Sequence, residues 1–233
     1  MLRTIRYSEA DNIVTLLSPG HGRLSAIAKG ARRQKSRLGG RLQPAVVARL
    51  TLHRGRGELC GLRGAVVVEP HAALWNESYR LLAAGAVLES AAKIIPVDDE
   101  SPSAYTLIRR TLALLTTRSP RSAPPRLDAV VLASRLKLLV ISGLMPRLGG
   151  CVSCGALEGL VAFSAVQGGA LCRSCGGGEP LSPAAFTALA HLLGSPLADA
   201  GELEQGAADE IERVLTLVLA EHLGVRLRSA SPI

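Results

Sequence analysis

One pattern occurs twice, as Cys151-Val-Ser-Cys154-Gly155 and Cys172-Arg-Ser-Cys175-Gly176, with seventeen residues between the two cysteine pairs. Four thiolates at this spacing read as one tetrahedral zinc site, each Cys-x-x-Cys gripping the metal from a tight knuckle. The glycine after each pair accepts positive φ, so the backbone can turn back towards the sulfurs without a Cβ clash. Between the pairs, Leu160-Val-Ala-Phe163 and Ala170-Leu171 flank Gln167-Gly168-Gly169, the pattern of a short hairpin that brings two knuckles together. The same residues also allow two disulfides or a redox Cys-x-x-Cys.

The start of the chain favours the metal. Met1-Leu-Arg-Thr-Ile-Arg6 is followed at once by Glu9 and Asp11, which is no signal peptide, and no uncharged apolar run approaches the length of a membrane span. The expected location is cytoplasmic, where structural disulfides are rare. Four cysteines leave no open position for water or substrate, so the expected zinc is structural rather than catalytic. Cys60, in Leu59-Cys-Gly-Leu62, is expected to be a small buried hydrophobe.

Charge is unevenly distributed. Residues 1–64 hold thirteen Lys+Arg against three Asp+Glu, while residues 65–233 hold fourteen against sixteen. The net charge of +8 therefore belongs to the first quarter of the chain, the electrostatic footprint of a polyanion partner.

The expected fold is α+β and multidomain. Asn12–Leu17, Leu24–Ala28, Ala45–His53, Leu59–Leu62 and Ala65–Val68 read as five short strands, with Leu50 and Leu52 on one face and Arg49, Thr51 and His53 on the other. Ser18-Pro-Gly-His-Gly22 and Arg54-Gly-Arg-Gly57 read as turns. Such strands suit a small closed barrel over residues 1–72, an oligonucleotide-binding (OB) fold or equally an SH3-like barrel. Residues 73–233 read as a helical bundle, with the zinc module inserted at about 149–178. Trp75, Tyr79, Leu82 and Ala86 recur at helical spacing up to Ile95, and Pro96 ends the run. Ser101-Pro102 and Ser182-Pro183 each read as a cap with proline at the first helical position. Leu127–Ile141 is apolar on nearly every face and belongs at the centre of the bundle, while Ile211, Val214, Leu215, Val218 and Leu219 form an amphipathic stripe.

Between two of the strands lies Ala28-Lys29-Gly30-Ala31-Arg32-Arg33-Gln34-Lys35-Ser36-Arg37, half of it cationic, with Arg41 close behind. Lys29, Arg32, Arg33, Lys35, Arg37 and Arg41 can neutralise successive phosphates and release counterions; the arginines bind them bidentately and the lysines act as point charges. Tyr7 is the one Phe, Tyr or Trp in residues 1–64, so base stacking contributes little and the expected affinity is mainly electrostatic.

Catalytic patterns are missing. The sequence has no Gly-x-x-x-x-Gly-Lys-Ser/Thr phosphate loop, and Gly55-Arg-Gly-Glu-Leu-Cys60 fails the dinucleotide pattern at its third glycine. The five histidines fall in no triad or ligand spacing. Asp98-Asp99-Glu100 is an acidic cluster that a solvated loop between two helices explains.

Several motifs, in order along most of the chain, resemble the RecO family of bacterial recombination mediators. They are Ser8-Glu9-Ala10-Asp11, Ser18-Pro-Gly-His-Gly22, Ala28-Lys-Gly-Ala-Arg-Arg33, Lys35-Ser-Arg37 with Leu42-Gln-Pro44, and Gly143-Leu-Met-Pro146 leading into Cys151. Two features depart from the family pattern: the chain begins close to its first strand, and Ser134-Arg135 stands where an aromatic and an acidic residue are frequent. The resemblance implies a non-enzymatic, nucleoid-associated DNA-repair factor that binds single- and double-stranded DNA and anneals complementary strands. It further implies a partner, RecR, with which the protein helps load RecA onto strands coated by single-stranded DNA-binding protein. The helical region would contact the acidic tail of that coating protein, with Arg126, Arg135 and Lys137 as candidates.

Two rival readings are a regulator whose zinc module itself reads nucleic acid, and a metal-dependent nuclease. The module is nearly neutral, with Arg173 and Glu158 the only charges between Cys151 and Cys175. That balance points to a zinc that holds a Gly-rich insertion against the bundle while cations elsewhere meet DNA.

Overall fold

The computed structural model describes residues 1–54, 59–119 and 123–229. Its first sheet comprises β1 (Arg3–Arg6), β2 (Asn12–Ser18), β3 (Gly22–Ala28), β4 (Val47–His53) and β5 (Cys60–Glu69), in the spatial order β1-β2-β3-β5-β4. All neighbours are antiparallel except β3 and β5, which run parallel. Alternation decides which face is buried: Val14, Leu16, Ala26, Ala28, Leu62 and Ala65 pack together on the inner face.

The strand expectations need three corrections. β1 has no apolar alternation and is recruited by pairing, Arg3 to Arg6 lying opposite Thr15 to Asn12. The two segments Leu59–Leu62 and Ala65–Val68 are parts of one ten-residue strand, because Arg63-Gly64 continues the strand past an irregularity opposite Thr51/Leu52. Finally, the sheet is not a closed barrel. β1 and β4 form no ladder; the edges meet only beside them, where Ala45 N–H donates to Met1 O at 3.0 Å and the Met1 nitrogen donates to Val46 O at 2.9 Å. The inner face thus stays partly open as a groove of about 1300 Å³, lined by Leu16, Leu24, Leu50, Leu52 and a half-buried Cys60. Most of the expected turn at residues 54–57 lies outside the described residues.

Among the described residues five α-helices follow: α1 (Ser78–Ile94), α2 (Pro102–Thr117), α3 (Ala129–Ile141), α4 (Pro183–Gly194) and α5 (Gln205–Leu223). Helix α1 starts at a Glu77 cap that accepts from Tyr79 and Arg80 N–H, and it buries Ala83, Ala84, Val87, Leu88 and Ala91. Trp75, expected to recur at helical spacing with Leu82, precedes the helix, and Leu82 is 62% exposed on it. Ser182 caps α4 through Ala185 N–H, a contact worth about 1 kcal/mol, whereas Ser101 makes no such bond and Pro102 alone opens α2. Helix α3 is buried over Ala129–Leu136 and lies at the centre as expected, and the α5 stripe packs onto it.

Between α3 and α4, β6 (Leu160–Ser164), β7 (Gly169–Cys172) and β8 (Glu179–Pro180) form a small sheet. This region is better anchored than its glycine content suggests. Phe163 is 1% exposed and belongs to the same apolar cluster as the helices. Arg213 on α5 pairs with Glu179 at 2.6 Å, and His222 Nε2 lies 2.7 Å from Ala165 O.

The sheet is stitched to the helices at the Ser18-Pro-Gly-His-Gly22 turn. Asp98 N–H donates to Arg23 O at 3.0 Å, and Arg23 Nε donates to Ile95 O at 2.7 Å. Gly22 has φ +58°, and a Cβ there would overlap the Asp99 carbonyl, so only glycine permits this approach. The Asp98-Asp99-Glu100 backbone is therefore docked on β3 while its side chains face solvent.

Candidate nucleic-acid interface and metal centre

The six candidate cations sit on the long connection from β3 to β4. Lys29, Arg32, Arg33, Lys35, Arg37 and Arg41 are all exposed. The loop that carries them is anchored by its apolar residues: Ala31 and Leu42 are buried in the sheet's core, with Leu38 packed against it. One end is held by the Ser8-Glu9-Ala10-Asp11 turn. Asp11 Oδ1 accepts from Gly30 N–H at 2.8 Å, Ala10 O accepts from Arg32 N–H, and Ser8 O accepts from the Arg32 guanidinium, both at 3.0 Å. Gly30 has φ +65°, the left-handed geometry that frees its N–H for Asp11. Arg33 N–H returns to Gly30 O and Ser36 N–H to Arg33 O, a pair of tight turns that places successive side chains on the outside. At the other end, Arg41 Nη1 donates to Ala65 O on β5 at 3.0 Å. The arrangement is a cationic band spanning from the β1–β2 turn to β5. Sequence reasoning found the cations; it gave no structural role to the preceding acidic motif, whose Asp11 orders them.

The four cysteines come together. The Sγ atoms of Cys151, Cys154, Cys172 and Cys175 all lie within 4.8 Å of one another, with Cys154 and Cys172 at 3.6 Å. Four sulfurs at about 2.3 Å around a tetrahedral zinc would be separated by roughly 3.8 Å, so the cage fits that ion. The repeated pentapeptide makes the same turn twice: Gly155 N–H donates to Cys151 O and Gly176 N–H to Cys172 O, with φ of +80° and +61°. Strand β7 delivers Cys172, and Val152 N–H donates to Ala170 O, which ties the first knuckle to the hairpin. Electrostatics fit a cation as well. Backbone N–H groups of Cys172, Cys154 and Ser153 pull the Cys151 thiol down to about 6. Its neighbours, Cys154 foremost, push Cys175 up to about 12, because packed sulfurs resist further negative charge. A divalent cation removes that opposition and deprotonates coordinating thiols.

The partner candidates separate. Arg135 is a correction: it is 1% exposed and donates to Ser90 Oγ, Glu212 Oε2 and Ser229 Oγ at 3.0, 2.7 and 2.8 Å, so it is a core residue with no surface to offer. Lys137 is half-buried, and its Nζ donates to Leu193 O near the end of α4, where burial lowers its pKa. Arg126 is half-buried beside Asp209 at 3.8 Å. Among the described residues the four cysteines are the one group suited to hold a metal, and no helix is long and apolar enough to cross a membrane.

Family models describe the chain from end to end: Recombination protein O N terminal matches residues 1–71 and Recombination protein O C terminal matches residues 76–231. The chain belongs to the RecO family. Among its relatives is the DNA repair protein RecO of Anaeromyxobacter dehalogenans strain 2CP-C, 38% identical over 236 residues that cover 97% of this chain and 91% of that protein. The DNA repair protein RecO of Myxococcus xanthus strain DK1622 is 30% identical over 98% of this chain and 92% of its own length. That of Thermoanaerobacter sp. strain X514 is 27% identical over 98% and 92%. The protein is thus a RecO family DNA repair protein whose described residues form a mixed sheet, five α-helices and a cysteine cluster.

Proposed function

We propose that this RecO family member is a non-enzymatic recombination mediator that binds single- and double-stranded DNA through the β3–β4 loop and anneals complementary strands. The observation that carries the proposal is the ordered loop: six exposed cations held by Asp11, by the Arg32 contacts and by Arg41 on β5. A pre-ordered cationic band meets phosphates without first ordering itself. It also leaves bases free, so it can screen the repulsion between two strands while they pair. Residues 1–72 act as an OB-type DNA-binding part and residues 73–233 as the partner-binding part, with the module at about 149–178 stabilised by one structural zinc on Cys151, Cys154, Cys172 and Cys175. RecR, the acidic tail of single-stranded DNA-binding protein and, through them, RecA are the protein partners, acting in the cytoplasm at the nucleoid. Arg126 and Lys137 remain the partner candidates on the helices.

The test neutralises Arg32, Arg33, Lys35 and Arg37 together and measures oligonucleotide affinity across a salt series. Four lost phosphate contacts reduce the slope of log K against log salt by about 3 for single strands. Strand annealing falls with it, without nucleotide, and labelled DNA stays intact with magnesium or manganese. Unchanged affinity would move the site elsewhere, and cleavage products would replace the mediator with a nuclease.

A further inference from the structure

The outer face of β4 and β5 carries cations that the loop does not include. Leu50 and Leu52 turn inward, which leaves Arg49, Thr51 and His53 exposed on the opposite face of β4. Across the ladder, His53 lies opposite Gly61, Thr51 opposite Gly64 and Arg49 opposite Val66, with the exposed Arg63 at the irregularity between them. Two of those β5 positions have no side chain. The His53 ring lies over Gly61, where a Cβ would fall within the ring, and its Nδ1 sits 2.9 Å from Gly61 O and 3.3 Å from Arg63 Nε. The result is a low surface at Thr51 and Gly64 between Arg49 and Arg63, with the imidazole on one side and the exposed Val66 on the other. Arg49 has no ion-pair partner among the described residues. The single acid of the two strands, Glu69, lies at the far end of β5 and is engaged by Arg109, whose guanidinium holds its carboxyl below the ordinary carboxylate range.

We infer that this face is a second nucleic-acid backbone site, distinct from the loop and able to hold a second DNA strand. This rests on the reading of the loop as the first site. Three observations support it. Among the described residues the face is cationic and free of opposing acid. Its uncovered glycine, Gly64, which meets only the Thr51 side chain, lets a backbone approach the sheet closely there. It adjoins the loop and uses different residues: Arg41 is fixed to Ala65 O, two residues beyond Arg63 on the same strand. A protein with two such tracts holds two strands side by side, raising their effective concentration while contacting only backbones.

The experiment uses the full chain and two non-complementary oligonucleotides, one carrying a fluorescent donor and the other an acceptor. Energy transfer then reports both strands on one protein without base pairing. Oligonucleotide affinity is measured separately by anisotropy. In the Arg49→Ala/Arg63→Ala variant, single-strand affinity stays within about twofold while bridging falls about tenfold, and the salt slope for the second strand drops by about 1.4. The four-residue loop variant loses first-strand affinity instead, so failure of the loop reading shows in a different arm. Bridging equal to wild type in the β4–β5 variant overturns the second site. Equal loss of affinity and bridging in that variant also overturns it, because the face would then be part of the first site. Circular dichroism on each variant separates these outcomes from unfolding.

Discussion

Replacing Arg135 by alanine should cost more than any other single change in the helical region, and the cost should depend on pH. The guanidinium is 1% exposed and spends its donors on Ser90, Glu212 and Ser229. Glu212 is 2% exposed and its second oxygen, Oε1, has no hydrogen-bond partner among the described residues, so this carboxylate depends on Arg135. Breaking a buried pair by removing one partner costs about 3–5 kcal/mol, a large part of the roughly 5–15 kcal/mol that holds a domain together. Burial pushes the Glu212 carboxyl above the ordinary range, and Arg135 pulls against that shift. Without Arg135 the carboxyl rises further. The folded state then binds a proton that the unfolded state, with Glu near 4.3, has released, so the variant loses stability as pH rises through that window and regains it as pH falls.

Urea unfolding at pH 5 and pH 8 measures this. The Arg135→Ala deficit should be larger at pH 8. An Arg135→Met/Glu212→Leu double variant, which replaces the pair by apolar groups, should return to within about 1 kcal/mol of wild type. A single-variant loss below about 1 kcal/mol that is equal at both pH values would refute the argument. So would a double variant no more stable than the single one.

Two further perturbations separate the roles of the motifs. Cys172→Ser should abolish bound metal by atomic emission and lower Tm, because the cage loses a ligand and the hairpin that carries Phe163 loosens; oligonucleotide affinity should stay within about twofold, since the cations lie elsewhere. Asp11→Ala removes a negative charge beside the basic loop, which by charge alone would tighten DNA binding. It should instead weaken it several-fold by anisotropy, because Gly30 N–H loses its acceptor, and Asp11→Asn should restore most of the affinity.

What was legible in the chain follows from how local each signal is. The cysteine knuckles repeat within a pentapeptide, and their two identical turns follow from the glycines behind each pair. The α5 stripe, the buried α3 and the exposed loop cations are read from neighbours a few residues away, and each stands where expected. β1 is not legible in the sequence because Arg3-Thr-Ile-Arg6 owes its strand conformation to β2 rather than to its own pattern. The joined strand β5 was divided at Gly64 because glycine reads as a turn, whereas here it lies in the ladder opposite Thr51. Barrel closure was expected from strand number alone; number does not decide whether the first and fourth strands meet.

Arg135 is the instructive error, because a usable signal was present. A cation on a helix that is apolar on nearly every face cannot reach solvent by any rotation of that helix, so its position already implied burial. A buried guanidinium requires a buried anion, and the only acid within the apolar stripe of the final helix is Glu212, between Ile211 and Val214. Two opposite charges, each embedded in an apolar stripe 77 residues apart, therefore specify a contact between α3 and α5. The same reasoning clarifies the charge asymmetry. Apart from the half-buried Arg23, the described cations of the first quarter are exposed because β-strand alternation and a polar loop point them outward. In the helical region charge is matched and partly buried, as Arg135–Glu212, Arg213–Glu179 and Arg126–Asp209 illustrate. The field that attracts a polyanion therefore arises on the sheet and its loop, and the helices add little to it.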